Sequence, residues 1–148
     1  MGKFEKDTGA GRFFKDFKKY HGLPVQDAIF FNQSDLICDM AKHEDFIVMG
    51  RCADVVLTNH HIPLISIFIT ASFDQRVRRM MEINSLNYKQ AEHLLKKLDK
   101  RHERYYHAYT GKKWGDAVNY DLCIDSASYG IEESVELIER MINKYPNS

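Results

Sequence analysis

The run Phe46-Ile47-Val48-Met49-Gly50-Arg51-Cys52-Ala53-Asp54 decides how this chain reads. Four bulky apolar residues in succession predict a short buried strand. Gly50 then lets the backbone turn with no side chain in the way. Arg51 follows at the carboxyl end of that strand, the place where open α/β sheets bind ligands. A permanently charged, fork-shaped donor there suits a phosphate or a carboxylate. The plainer reading, an arginine that caps a loop by bonding carbonyls, stays open beside it.

Working outward, strands and helices alternate. Phe13, Phe14, Phe17 and Tyr20 recur at helical spacing, and Gly22 with Pro24 ends that helix. A second helix is expected after Asp27 as N-cap, carrying Ile29, Phe30, Leu36, Ile37 and Met40 up to the strand at 46–49. A short helix with Ala53, Val56 and Leu57 follows Arg51, and Asn59-His60-His61 breaks it. Residues 64–69 read as the second strand. Ser72 with Gln75, and Asn87 with Gln90, make two capping-box starts. The second of these helices reaches about Tyr109 and stops at Gly111. Leu122-Cys123-Ile124 is a third short strand, and a last helix runs over about 131–145. This alternation implies a parallel sheet covered by helices.

The totals exclude several classes. The chain has 148 residues, enough for one domain with a real core. Its formal net charge is +0, so no global field draws nucleic acid or an anionic membrane. The apolar runs are far too short to span a bilayer. The first residues carry no apolar signal core, and the cysteines, 3 in number, are widely spaced. Both features suggest a reduced, cytoplasmic setting. No metal site is expected. His102 and His107 stand five apart, which turns them about 140° from each other on a helix. His60-His61 has no third ligand within reach in the sequence.

The ordered set of motifs is more telling than any one of them. Gly50-Arg51-Cys52-Ala53-Asp54 is followed by Arg76-Val77-Arg78-Arg79-Met80, and then by Lys97, Arg101 and Arg104, which share one helix face. After them come Tyr105-Tyr106, Tyr109-Thr110-Gly111, Trp114-Gly115-Asp116 and Asn119-Tyr120-Asp121-Leu122. This series resembles the cytidylate kinase-like family of nucleoside monophosphate kinases, from about Leu23 to the C-terminus. The resemblance implies an α/β fold: a three-layer, P-loop-kinase-like parallel sheet flanked by helices, shortened at its start. It implies a single domain over 1–148, with 1–22 as an atypical N-terminal segment and about 72–119 as a helical lid. It further implies transfer of a phosphoryl group from ATP, with Mg²⁺, to a nucleoside monophosphate such as CMP or dCMP.

By the same resemblance, Arg51 would hold the acceptor phosphate and Asp54 would orient it or the base. Arg76 would meet ATP at the lid hinge, and Arg101 and Arg104 would act on the transferring phosphoryl group. Such chemistry asks the protein mainly for positioning and charge stabilisation. A solvated helix face remains the plainer account of Arg101 and Arg104, and N-capping or pairing with Arg51 that of Asp54.

Two departures stand out. Asp7-Thr8-Gly9-Ala10-Gly11-Arg12 only faintly echoes a phosphate loop. It lacks a preceding core strand, and Phe13 stands where a magnesium-binding hydroxyl is expected. Met49 replaces the aspartate that precedes the glycine–arginine pair in the main cytidylate kinases, which leaves the acceptor base open. The alternative function is therefore a non-enzymatic kinase fold that binds a nucleotide or a protein partner. With no strand to precede the loop, the 46–49 and 64–69 strands are expected either to pair directly or to be bridged by a second copy in a homo-oligomer.

Overall fold

The computed structural model describes Tyr20 and residues 22–144. The expected helix over Phe13, Phe14 and Phe17 and the loop echo at 7–12 lie outside them. The chain divides into two compact units, residues 1–62 and 63–148. The described part is a mixed α/β arrangement, rich in helix, with one two-stranded parallel sheet.

In the first unit, α1 spans Val25–Ala41 and α2 spans Ala53–Asn59. Helix α1 starts two residues before Asp27, with Pro24 at the N-cap. Asp27 falls in the first turn instead, where a carboxylate meets the positive end of the helix dipole. Asn32 and Ser34 are buried polar residues on this helix. Each bonds back one turn, Asn32 to the Ala28 carbonyl at 2.7 Å and Ser34 to the Phe30 carbonyl at 2.8 Å. The core gathers Ala28, Phe30, Ile37 and Cys38 of α1 with Cys52, Ala53, Val55, Val56 and Leu57 around α2.

The strand expected at 46–49 does not form. Among the described residues this stretch has no ladder partner, and the only sheet contains two other segments. Ile47 and Met49 are 92% and 88% exposed, while Phe46 and Val48 are half-buried. The alternation is that of an extended chain with one inward side, without the backbone pairing that would make it a strand.

In the second unit, β1 (Ile67–Thr70) pairs in parallel with β2 (Leu122–Asp125). The register sets Ile67 opposite Leu122, Phe68 opposite Cys123, Ile69 opposite Ile124 and Thr70 opposite Asp125. The expected 64–69 strand thus begins later, and its partner is β2 rather than 46–49. The reason is a polar tie just ahead of the ladder. The Asp121 carboxylate accepts from the Ser66 amide at 2.7 Å and the Ser66 hydroxyl at 2.8 Å, and the Asp121 amide donates to the Ser66 carbonyl at 2.9 Å.

Between the strands runs a helical arm. Helix α3 (Phe73–Asn84) starts with the Ser72–Gln75 capping box, and α4 (Tyr88–Thr110) with the Asn87–Gln90 box. Both boxes close reciprocally, which satisfies helix-end N–H groups that would otherwise lack partners. The two helices pack through Val77, Ala91 and Leu95, with Phe73, Met80, Met81 and Leu86 around them. Gly111 ends α4 in the left-handed conformation. A 3₁₀ turn (Ala117–Asn119), β2, a single turn α5 (Ser126–Tyr129) and α6 (Ile131–Lys144) complete the unit.

The loop after the arm is fastened by rings. Phe68 of β1 meets Trp114 edge-on at 5.6 Å and Tyr120 at 4.9 Å, and Trp114 lies 5.2 Å from the His102 ring of α4. Gly115 sits under Phe68 with φ +74°, and a Cβ there would come within 3.1 Å of the ring. Gly111, at φ +69°, has open space instead. Replacing Gly111 by Ala is expected to cost about 1–2 kcal/mol in urea unfolding, for the left-handed backbone alone. Gly115→Ala should cost about 2–4 kcal/mol, since crowding of Phe68 is added. Equal losses would remove the ring contact as a constraint.

Candidate functional site

The residues singled out by their chemistry fall into two groups, one in each unit. The first is built on a backbone turn. Gly50, Arg51 and Cys52 all take left-handed conformations, with φ of 71°, 60° and 55°. Only glycine adopts these angles without a steric penalty, so Arg51 and Cys52 hold a strained turn, the kind of strain that clusters at ligand-binding positions. The turn is held by the Ala53 amide, which donates to the Gly50 carbonyl at 3.2 Å, and by the Val56 amide, which donates to the Cys52 carbonyl at 2.9 Å. Cys52, the N-cap of α2, is buried, while Arg51 beside it is exposed. Among the described residues Arg51 makes no ion pair. Asp54 is half-buried in the first turn of α2.

Burial pushes the Cys52 thiol up to about 11, with the Asp54 charge adding to the effect. Burial likewise raises Cys38, helped by Asp35 and opposed by Lys42. Burial thus disfavours the reactive thiolate form of both. Cys123, by contrast, is exposed.

The second group lies on the arm. Helix geometry, at about 100° per residue, puts Ala91, Leu95 and Tyr106 on one side of α4, and all three are buried. Lys97, Arg101 and Arg104 lie roughly on the opposite side and are exposed. Among the described residues none of the three has an anionic partner. Neighbours on the same arm do: Lys96 with Glu92 at 2.6 Å, and Arg78 with Asp74 at 2.9 Å.

Arg76 behaves differently from the other arginines. Its two terminal nitrogens meet the two oxygens of Asp99 at 2.9 and 2.8 Å, a parallel fork that bridges α3 to α4. Its guanidinium also lies over the Phe73 ring at 5.7 Å. The hydrogen bonds it donates to Asp99 raise its pKa, burial opposes this, and the Asp99 charge adds to the rise. Among the described residues the Arg76 Nε is buried without a partner. The structure thus places Arg76 inside the arm, tied to Asp99, a residue that the reading of motifs passed over. Its i, i+23 spacing from Arg76 carries no local signal.

Asp125, at the carboxyl end of β2, is also spoken for. It caps α5, accepting from the Ser128 hydroxyl at 2.8 Å and from the Ala127 and Ser128 amides, both at 3.1 Å. The Ser128 hydroxyl, foremost, and these amides hold its carboxyl below the usual range. Among the described residues no three His, Cys, Asp or Glu side chains gather as a metal site. No described helix is long and apolar enough to cross a membrane.

Comparison with known proteins gives these groups their context. No curated protein matches the chain. Among solved structures it is similar to an uncharacterized protein from Eubacterium ventriosum ATCC 27560, at 30% identity and a TM-score of 0.70. That likeness covers 93% of this chain and 77% of the other.

The raised Cys52 thiol has a consequence for stability. The protonated form is favoured by the fold, so its contribution is fully present below the ordinary thiol pKa. It is lost as pH rises from that range through about 11. Urea unfolding should therefore show stability falling over this alkaline window, and less so in Cys52→Ala. A thiol reagent at about pH 8 should label Cys123 readily and Cys52 only on unfolding. Fast labelling of Cys52 in the folded protein would contradict its burial.

The description of the cytidylate kinase-like family matches residues 1–128, including the first 22 residues that the motif resemblance left out. On that match, over most of its length, the chain belongs to the cytidylate kinase-like family.

Proposed function

We propose that this chain binds a nucleoside monophosphate and the polyphosphate of ATP, for phosphoryl transfer between them. The observation that carries the reading is the outward face of α4. Lys97, Arg101 and Arg104 stand together, exposed, and lack an anion among the described residues. Like charges one turn apart repel unless an anion shields them. In phosphoryl transfer the protein's task is mostly to neutralise charge on the moving group and hold it in line. Arg101 and Arg104 are assigned that task here. Arg51, presented on a strained turn, is assigned the acceptor phosphate, and Asp54 in the turn beyond it the orientation of the acceptor. CMP and dCMP are the acceptors proposed first, and a cytoplasmic setting is the one where they and ATP are at hand.

ATP brings magnesium with it, held by phosphate oxygens and waters. No step is assigned to that ion. Arg76 would reach ATP only with a guanidinium whose terminal nitrogens Asp99 already holds.

A non-enzymatic nucleotide-binding role is the second reading. It is favoured by the 7–12 segment, which has neither the lysine nor the following hydroxyl of a phosphate loop. Incubation with ATP, magnesium and each of CMP, dCMP, UMP and AMP separates the two: ADP formed only with an acceptor supports the kinase. Nucleotide binding without ADP supports the second reading.

The acceptor assignment has its own test. Arg51→Ala should weaken CMP binding by calorimetry by roughly 1.5–3 kcal/mol, the worth of hydrogen bonds to a charged group. Unchanged affinity would take Arg51 out of the site.

A further inference from the structure

We propose that Asp99 is a positioning residue: by gripping Arg76 it fixes the rotation of α4 against α3, and so aims the Lys97–Arg101–Arg104 face at its anion. The inference rests on the phosphate-binding reading of that face given above.

Apart from a long hydrogen bond at the start of α4, from the Tyr88 hydroxyl to Asp74 at 3.4 Å, the seam between the two helices is mainly apolar. Val77, Ala91 and Leu95 with Phe73, Met80, Met81 and Leu86 hold the helices together. Hydrocarbon contact is non-directional, and methionine side chains in particular adapt to several packings. Such a seam allows α4 to turn or slide by a fraction of a residue. A planar fork does not. The Arg76–Asp99 pair has two parallel bonds, at 2.9 and 2.8 Å, from residues 23 apart on different helices. Only one relative rotation of the helices satisfies both.

The pair also sits where rotation matters. Asp99 lies on the α3-facing side of α4, two residues before Arg101 and five before Arg104. Holding Asp99 therefore sets the direction of both arginines on the opposite side, within the same two turns. The Phe73 ring supports the guanidinium from α3 at 5.7 Å, and Lys96 of α4 approaches the same ring at 5.8 Å.

The energetics point to specificity rather than strength. The Arg76 side chain is 32% exposed and that of Asp99 21%, so both ions lose much of their water. Among the described residues the Arg76 Nε is buried with no partner, a cost that an apolar contact would avoid. A partly desolvated pair with an orphaned donor adds little net stability, and its best-attested use is to select one register among near-equal packings.

The test uses inorganic tripolyphosphate as probe, titrated by calorimetry into the whole chain. Asp99→Asn removes a negative charge near a basic face. Simple Coulomb attraction would then make tripolyphosphate bind more tightly. Loss of aim predicts the reverse, an affinity about tenfold weaker, as expected for misplaced contact groups. The charge swap Arg76→Asp with Asp99→Arg rebuilds the fork and should restore most of the affinity. The apolar pair Arg76→Met with Asp99→Leu keeps the helices packed without a fork and should bind as weakly as Asp99→Asn. It carries the same conclusion if Asp99→Asn fails to fold.

Equal or tighter binding by the forkless variants, with helix content unchanged, would overturn the positioning role while the phosphate reading stands. Failure of that reading looks different: Arg101→Ala would itself leave tripolyphosphate affinity unchanged, and the positioning role would fall with it.

Discussion

The parallel pairing of β1 with β2 is the constraint on which the second unit depends. Antiparallel strands can be joined by a tight hairpin, but parallel ones require the chain to travel back along the sheet before the second strand begins. The arm formed by α3 and α4 is that return path. The pairing starts at a small polar tie, in which Ser66 and Asp121 exchange backbone and side-chain hydrogen bonds immediately before the ladder. The tie sets the register, and the register puts Phe68 beside Trp114 and Tyr120, fastening the chain that leaves the arm. The arm falls within residues 1–128, the span over which the chain matches the cytidylate kinase-like family.

The arginines show how one residue type serves distinct purposes within a single unit. Arg78 reaches back one turn to Asp74 on the surface, an ion pair of the kind that adds little stability. Arg76 turns inward and is gripped by Asp99, partly out of water. Arg101 and Arg104 turn outward without a counter-charge among the described residues. What separates these cases is the position of each residue around its helix. Residue type is the same in all of them, so composition alone could not have sorted them.

Where local rules suffice, reading and structure agree. The two capping boxes, at Ser72–Gln75 and Asn87–Gln90, stand where their side chains require, because each is closed within three residues. The stop of α4 at Gly111 and the short helix after Arg51 are equally local. The structure departs from local rules where a distant partner decides. Residues 46–49 have strand-like composition, yet without backbone pairing they form no strand, and Ile47 and Met49 face water. Leu64 and Ile65 are as apolar as the residues of the strand, but Ser66 is drawn into its tie with Asp121, and the strand begins only at Ile67.

By itself the sequence determined the two capping-box starts, the stop at Gly111, the amphipathic faces, and the ordered series of arginines and aromatic motifs. Each of these depends on residues a few positions apart, so it is written directly in the order of the chain. Tertiary structure decided which strands pair, that Gly50, Arg51 and Cys52 form a left-handed turn, and that Arg76 belongs to Asp99. These outcomes depend on groups far apart in sequence competing for a limited set of hydrogen-bond partners, and only the folded chain brings the competitors together.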